Sequence, residues 1–356
     1  MEAIRTFRRD DIPQVAELFA TTFMHNGTSA SSGLDRYFER VFFESPLDEE
    51  DLPSFVYLDA SGSIAGFIGV QPRRLRLRGR RLRAAVATKL MVAPRARGSF
   101  AAVRLVSRVF AGPQDVLFSD LSNEAARAIF EGFGGVTVLP LSLQWQRPVR
   151  PARHSLSWLH ARGVPGVITH GLRPLGSLAD AVVARLSTRR FRDLFAGYAV
   201  EDLPVDLLAQ RFDELCSDRA LRPEYDERSL HWLLNVAEQN QPDRVLRRRV
   251  VRDARGEVVG WFLYYLAPGG ESEVVQLVAR KGAGEAVFHA LLDDAWRGGT
   301  VMLTGRLEPR LVREMSALHC YFRQGGHWTL AHAKQPDVLE AILSGNAFLS
   351  RLEGEW

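Results

Sequence analysis

Two nine-residue stretches constrain this chain more than any other feature: Asp59-Ala60-Ser61-Gly62-Ser63-Ile64-Ala65-Gly66-Phe67 and Asp253-Ala254-Arg255-Gly256-Glu257-Val258-Val259-Gly260-Trp261, 194 positions apart. Each comes after a β-rich run, Phe55-Val56-Tyr57-Leu58 in the first case and Arg249-Val250-Val251-Arg252 in the second. Aspartate and glycine suit a tight turn between strands, because glycine takes positive φ without a steric cost. The repeat therefore predicts one structural plan used twice. Hairpins of this composition are common, so the meaning of the repeat rests on the residues C-terminal to each copy.

After the first copy come strands over Ile64 to Val70, an arginine-laced hairpin around Gly79, and a strand over Ala84 to Val92. The chain then reads Val92-Ala93-Pro94-Arg95-Ala96-Arg97-Gly98-Ser99-Phe100-Ala101-Ala102 and enters a helical run, Val103 to Phe110. After the second copy, the strand Glu273 to Ala279 leads through Arg280-Lys281-Gly282-Ala283-Gly284 into a helix from Glu285 to Trp296. Both passages give a strand, a basic glycine-containing loop and a helix N-terminus. Such a terminus binds phosphate, since its first-turn N–H groups lack intrahelical partners and the helix dipole favours an anion.

At 356 residues, with 46% hydrophobic and 25% charged residues, the chain suits two globular domains, each with its own core. No segment approaches the ~18 consecutive apolar residues of a membrane span and the first ten residues lack a secretory core, so a cytoplasmic location is expected. The two cysteines, Cys216 and Cys320, have no metal-ligand spacing, and no metal is expected. Arginine dominates the basic residues, with lysine only at Lys89, Lys281 and Lys334, and the net charge of +4 mildly favours anionic partners.

Ahead of the first strands, Ile4 to Phe7 reads as a strand. A helix comes next, with the stripe Val15, Leu18, Phe19 and Phe23, and then a second helix over Leu34 to Phe43. The order strand, two helices, three strands, Val-x-Pro-x-x-Arg-Gly, helix resembles the GNAT superfamily of acyl-CoA-dependent acyltransferases. The resemblance continues through the strand Val116 to Asp120 and the helix that Asn123 opens. It implies an α/β fold with a mixed sheet, two GNAT-like acyltransferase modules in tandem: 1–150, a helical linker 151–200, and 201–356. It also implies an acetyl-CoA or other acyl-CoA donor and a small-molecule or peptide amine acceptor. The bulged strand Leu90, Met91 and Val92 would meet the thioester and pantetheine, and Arg97, Gly98, Ser99, Ala101 and Ala102, with Asn123, would hold the rest of the cofactor. In the second half the corresponding residues are Arg280, Lys281, Gly282 and Gly284. Two positions depart from the pattern: Phe100 replaces a glycine, and Phe130 replaces a tyrosine proton donor. Tyr321 is the candidate acid in the second half. His25, Asp120 and Glu44 are candidate bases.

Other readings compete. Tandem modules with imperfect coenzyme A loops also resemble Fem-type transferases that use aminoacyl-tRNA, and the two phenylalanines fit a non-catalytic binding module. The arginine-rich hairpin, Arg73 to Arg83, alternates with Leu75, Leu77 and Leu82 as a solvated strand face would, and it lacks the aromatic residues of a nucleic-acid platform. Leu178 to Leu186 with Arg189, Arg190 and Arg192 reads as a basic amphipathic helix, either an interdomain helix with a solvated face or one that meets a membrane surface or an acidic substrate.

Overall fold

The structure is a computed structural model that describes residues 3–24, 31–47, 49–163, 165, 171–172, 174–181 and 197–356. His25 and the arginines of the expected basic helix lie outside them. The chain forms two compact units. Unit 1 comprises Met1–Ser142, Arg219–Asn240 and Gln324–Trp356, and unit 2 comprises Leu143–Asp218 and Gln241–Arg323. The expected linear division at 150 and 201 gives way to an interleaved one, because the chain enters unit 1 three times.

Unit 1 begins with β1 (Ala3–Thr6), α1 (Ile12–Phe23) and α2 (Ser31–Phe43), then β2 (Phe55–Leu58), β3 (Ile64–Leu77) and β4 (Arg80–Val92). Next come α3 (Ala101–Phe110), β5 (Val116–Ser122), α4 (Glu124–Gly132), β6 (Val136–Thr137) and the short α5 (Leu139–Ser142). The chain then leaves for unit 2 with β7 (Leu143–Pro148), α6 (Pro151–Ala161), β8 (Ala199–Asp202) and α7 (Val205–Leu215). It returns to unit 1 for β9 (Leu221–Pro223) and α8 (Glu227–Asn240). Unit 2 is completed by β10 (Val245–Arg252), β11 (Val258–Leu266), β12 (Glu271–Ala279), α9 (Gly284–Arg297), β13 (Met302–Arg306) and α10 (Val312–Ala317). The edge strand β14 (Tyr321–Gln324) joins the second sheet, and β15 (Trp328–Ala333) and α11 (Pro336–Leu343) belong to unit 1.

The two sheets repeat one plan. The first runs β1-β2-β3-β4-β5-β15-β6, with β9 added against β3, and the second runs β8-β10-β11-β12-β13-β7-β14. In each the central pair is parallel, β4 with β5 and β12 with β13, and the neighbouring pairs with a recorded register are antiparallel. The duplication expected from the repeated turn is therefore real. Asp59 and Asp253 occupy the same β-hairpin of the two sheets, and each accepts two backbone N–H bonds across its turn. The donors are Ser61 and Ser63 at 3.0 and 3.1 Å, and Arg255 and Glu257 at 2.9 and 3.0 Å. Strand β15 falls within the expected second module, 201–356, yet belongs to the first sheet. It pairs with β5 and β6 of the first sheet, while β7 takes the equivalent place in the second.

Helices α1, α2 and α3 bury apolar faces on the first sheet. Phe7, Phe38 and Phe67 meet there edge to face, with ring centroids 5.0 and 5.8 Å apart about Phe67. Such pairs add about 0.5–1.5 kcal/mol each beyond area burial. The hairpin leucines Leu75, Leu77 and Leu82 are buried as the period-two pattern requires, and the arginines between them pair with carboxylates of the same unit. Arg74 meets Asp226, Arg76 and Arg81 share Glu224, Arg80 meets Asp337, and Arg83 meets Asp51, all within 3.2 Å.

Candidate active site

The parallel pair β4 and β5 is joined only from Ala84↔Val116 to Val86↔Phe118. Beyond that the strands part, and a cavity of about 260 Å³ opens along the gap, all of its lining residues in unit 1. Phe19, Phe23, Val106 and Phe130 from three helices form its apolar walls. The rim of β4 is bulged: Thr88 faces Gly69 and Met91 faces Phe67, so Lys89 and Leu90 together oppose Ile68 alone. Lys89 takes the bulge conformation at φ 52°. A bulge releases backbone N–H and C=O groups from the ladder and re-aims side chains, which is why both residues of this one line the cavity.

The gap between the strands is bridged by one carboxylate. Glu355 Oε1 accepts from Ser119 Oγ at 2.7 Å and from the Asp120 and Leu121 N–H groups at 3.3 and 3.1 Å, and Oε2 accepts from Thr88 Oγ1 at 2.8 Å. Four donors thus converge on one buried carboxylate and satisfy the acceptor sites that burial would otherwise strand. The segment carrying it is fastened on every side. Ser350 and Glu353 form a capping box, with Glu353 Oε2 accepting from the Ser350 N–H and hydroxyl at 2.7 Å. The buried Arg73 donates to the carbonyls of Glu353 and Gly354 at 3.2 Å. Burial pushes the Arg73 guanidinium down to about 10. Gly354 lies so close to Asp120 that a Cβ there would stand 1.9 Å from Oδ2.

Asp120, the expected base, is thus a clamp. Its buried carboxylate accepts the Glu355 N–H at 2.8 Å and pairs with Arg351 at 3.2 Å, and it does not line the cavity. Sequence reasoning missed Glu355; the only signal was the Ser-x-x-Glu box, Ser350 to Glu353, beside an acidic, glycine-spaced run. It also missed Lys89 and the exposed His327 at the rim. Burial holds the Lys89 ammonium below its usual range, opposed by Glu355 and Asp120 and reinforced by Arg351.

The expected phosphate loop comes directly after the bulged strand. Gly98 sits at φ +90°, a conformation costly for any residue with a Cβ, and lets the chain turn into α3. Ser99 Oγ bonds the Ala96 carbonyl at 2.7 Å, and Arg97 and Ser99 are exposed. Ala101 is buried against the core, and Ala102 lies in the first turn of the helix. Phe100 has φ −80°, which needs no glycine, and its side chain is 75% exposed. Arg95 is engaged elsewhere, 3.1 Å from Asp59 of the repeated turn, which also accepts from Ser61; these bonds hold the Asp59 carboxyl down to about 2.

Unit 2 repeats that last contact, with Arg280 3.4 Å from Asp253, but not the open loop. Gly282 takes φ +87° and Lys281 is exposed, whereas Gly284 is buried beneath α10: a Cβ there would meet Leu311 at 2.8 Å and Glu314 at 3.3 Å. A carboxylate beside that helix N-terminus opposes a phosphate. Trp145 and Phe288, 5.0 Å apart, pack in the core behind it.

The remaining expected residues separate. Leu90 and Asn123 line the cavity; Asn123 Oδ1 also caps α4 by accepting the Ala126 N–H at 2.9 Å. Met91 is buried behind the strand, and Val92 pairs with Gly66. Phe130 is a wall residue, 4.7 Å from Phe110. Tyr321 is exposed on the edge strand β14 and does not line the unit 1 cavity, and Glu44 pairs with Arg36. His25 lies outside the described residues.

Comparison with known proteins agrees with this geometry. Residues 3–115 match the acetyltransferase (GNAT) domain family. No curated protein matches the sequence. Among solved structures, a GCN5-related N-acetyltransferase from Anabaena variabilis is similar over 96% of this chain and 75% of its own, with TM-score 0.62 at 11% identity. A probable N-acyltransferase from Enterococcus faecalis is similar over 97% and 74%, with TM-score 0.58 at 10% identity. Saccharomyces cerevisiae N-myristoyltransferase, solved with bound myristoyl-CoA, is similar over 93% and 78%, with TM-score 0.50 at 12% identity. The parted β4–β5 pair, its bulge and the Gly98 loop lie in or beside the matched segment, and the chain has the fold of two tandem GNAT-like modules, the first of which carries the match to the acetyltransferase (GNAT) domain family.

Proposed function

We propose that the protein is an acyl-CoA-dependent N-acyltransferase, transferring an acetyl or longer acyl group to an amine, and that unit 1 is the working module. The observation that carries this reading is the parting of β4 and β5 beside a bulge that runs on into the Gly98 loop. An extended thiol arm fits between parted strands, where freed backbone groups can pair with its amides, and its pyrophosphate fits the exposed first turn of α3. A bulge N–H supplies the donor that a tetrahedral oxyanion requires. Glu355 is the carboxylate that lines the cavity, and it is the group placed to take the proton of an amine acceptor directly or through water.

Calorimetry with acetyl-CoA and longer acyl-CoAs tests the reading. Binding is expected in the wild-type protein, with loss in Gly98→Val, where positive φ strains any β-branched residue, and retention in Gly282→Val. The opposite pattern moves the site to unit 2. No binding of any acyl-CoA leaves the aminoacyl-tRNA and non-catalytic readings. Thiol release with a panel of primary amines then identifies the acceptor class.

A further inference from the structure

We propose that Lys89 is a self-acylation site: in the absence of an acceptor, its own amine takes the acyl group from the bound acyl-CoA. This rests on the reading of unit 1 as an acyl-CoA site. Three observations place an amine where an acceptor amine would act. Lys89 belongs to the bulge at which the parted strands begin their rim, and its φ of 52° is the conformation that takes it out of the sheet's alternation. Lys89 lines the same cavity as Leu90, Ser119 and Glu355. No ion pair or hydrogen bond engages its nitrogen among the described residues, although carboxylates elsewhere in the chain are heavily paired. An amine that is partly desolvated spends more time neutral, and only the neutral form is a nucleophile.

The step balances without a further reagent. The Nζ lone pair attacks the thioester carbonyl carbon, a C–N bond forms, the C–S bond breaks, and the proton displaced from Nζ ends on the departing sulfur. The products are an Nε-acyl-lysine and free coenzyme A. The amide is stable and uncharged, so the modified cavity loses its cation and its room, and turnover of added amines falls as Lys89 is consumed.

The composition makes the test sharp, because the other two lysines, Lys281 and Lys334, are exposed. Adventitious chemistry from acyl-CoA favours exposed amines, so modification centred on the half-buried lysine points to the site. The protein is incubated with acetyl-CoA without acceptor, and intact mass and peptide mapping are read over time, with calorimetry on the same sample. Addition of one acyl group per chain at Lys89 is expected, at least ~10-fold faster than at Lys281 or Lys334, a rate ratio of about 1.4 kcal/mol. That preference should vanish after unfolding in urea. The variant Lys89→Arg keeps the charge and should bind acetyl-CoA without gaining the mass. Binding of acetyl-CoA with Lys89 unmodified, or modified no faster than the exposed lysines, overturns the proposal while leaving the acyl-CoA site intact. Absence of binding overturns the site itself.

Discussion

Gly354 shows how tightly single residues govern this site. Its missing Cβ is what lets the chain pass Asp120, so that Glu355 reaches the donors on β4 and β5. Replacing Gly354 with Ala places a methyl group 1.9 Å from a carboxylate oxygen already committed to Arg351, and something must move. We expect a loss of about 1–3 kcal/mol in urea unfolding, typical of overpacking, together with weakened acyl-CoA binding as Glu355 is displaced. Unchanged stability and binding would mean that the clamp is not needed. None of this was legible in the sequence. Asp120 and Glu355 are 235 residues apart, and no local pattern announces that one positions the other.

At the scale of elements the sequence was far more informative. The Val-x-Pro-x-x-Arg-Gly passage reads as strand, turn and helix because each residue type has a local job there: proline opens a short 3-10 turn, and Gly98 supplies the one positive φ. The apparent departure at Phe100 disappears once dihedrals are considered. The residue caps α3 with negative φ and turns its ring to solvent. Phe100→Ala should therefore leave acyl-CoA affinity within about threefold of wild type, under 1 kcal/mol; tenfold tighter binding by calorimetry would instead show that the ring obstructs the ligand. The matching Gly-x-Gly of the second half differs from the Gly98 loop for a non-local reason. Its composition suits a phosphate, but Leu311 and Glu314 pack onto the loop from a helix that sequence spacing cannot place.

For the whole molecule, the two units should respond differently to acid. His289 of unit 2 has a side chain only 10% exposed, and burial, with Arg147 nearby, pushes its imidazole down to about 4. In the unfolded chain it titrates near 6.5. The folded state thus resists protonation, so its stabilising contribution is complete above about pH 6.5 and is lost as pH falls toward 4, on the order of 3 kcal/mol in all. His289→Leu should flatten this slope. Urea midpoints at pH 7 and 4.5 that fall equally in variant and wild type would reject the assignment. Both modules were foreseen from the repeated turn, but their boundaries were not, since an exchange of β7 and β15 leaves strand patterns unaltered and changes only the partner sheet.

That exchange has a consequence for how the protein is made. The cavity of unit 1 needs Glu355 and its sheet needs β15, yet the stretch ending at Ser142 leaves the ribosome long before Gln324 is translated. Throughout that interval β5 offers an unpaired edge, the kind of surface that recruits wrong partners. The complete cavity can form only after the intervening module has been synthesised, so a truncated or stalled product carries the Gly98 loop without Glu355 or β15.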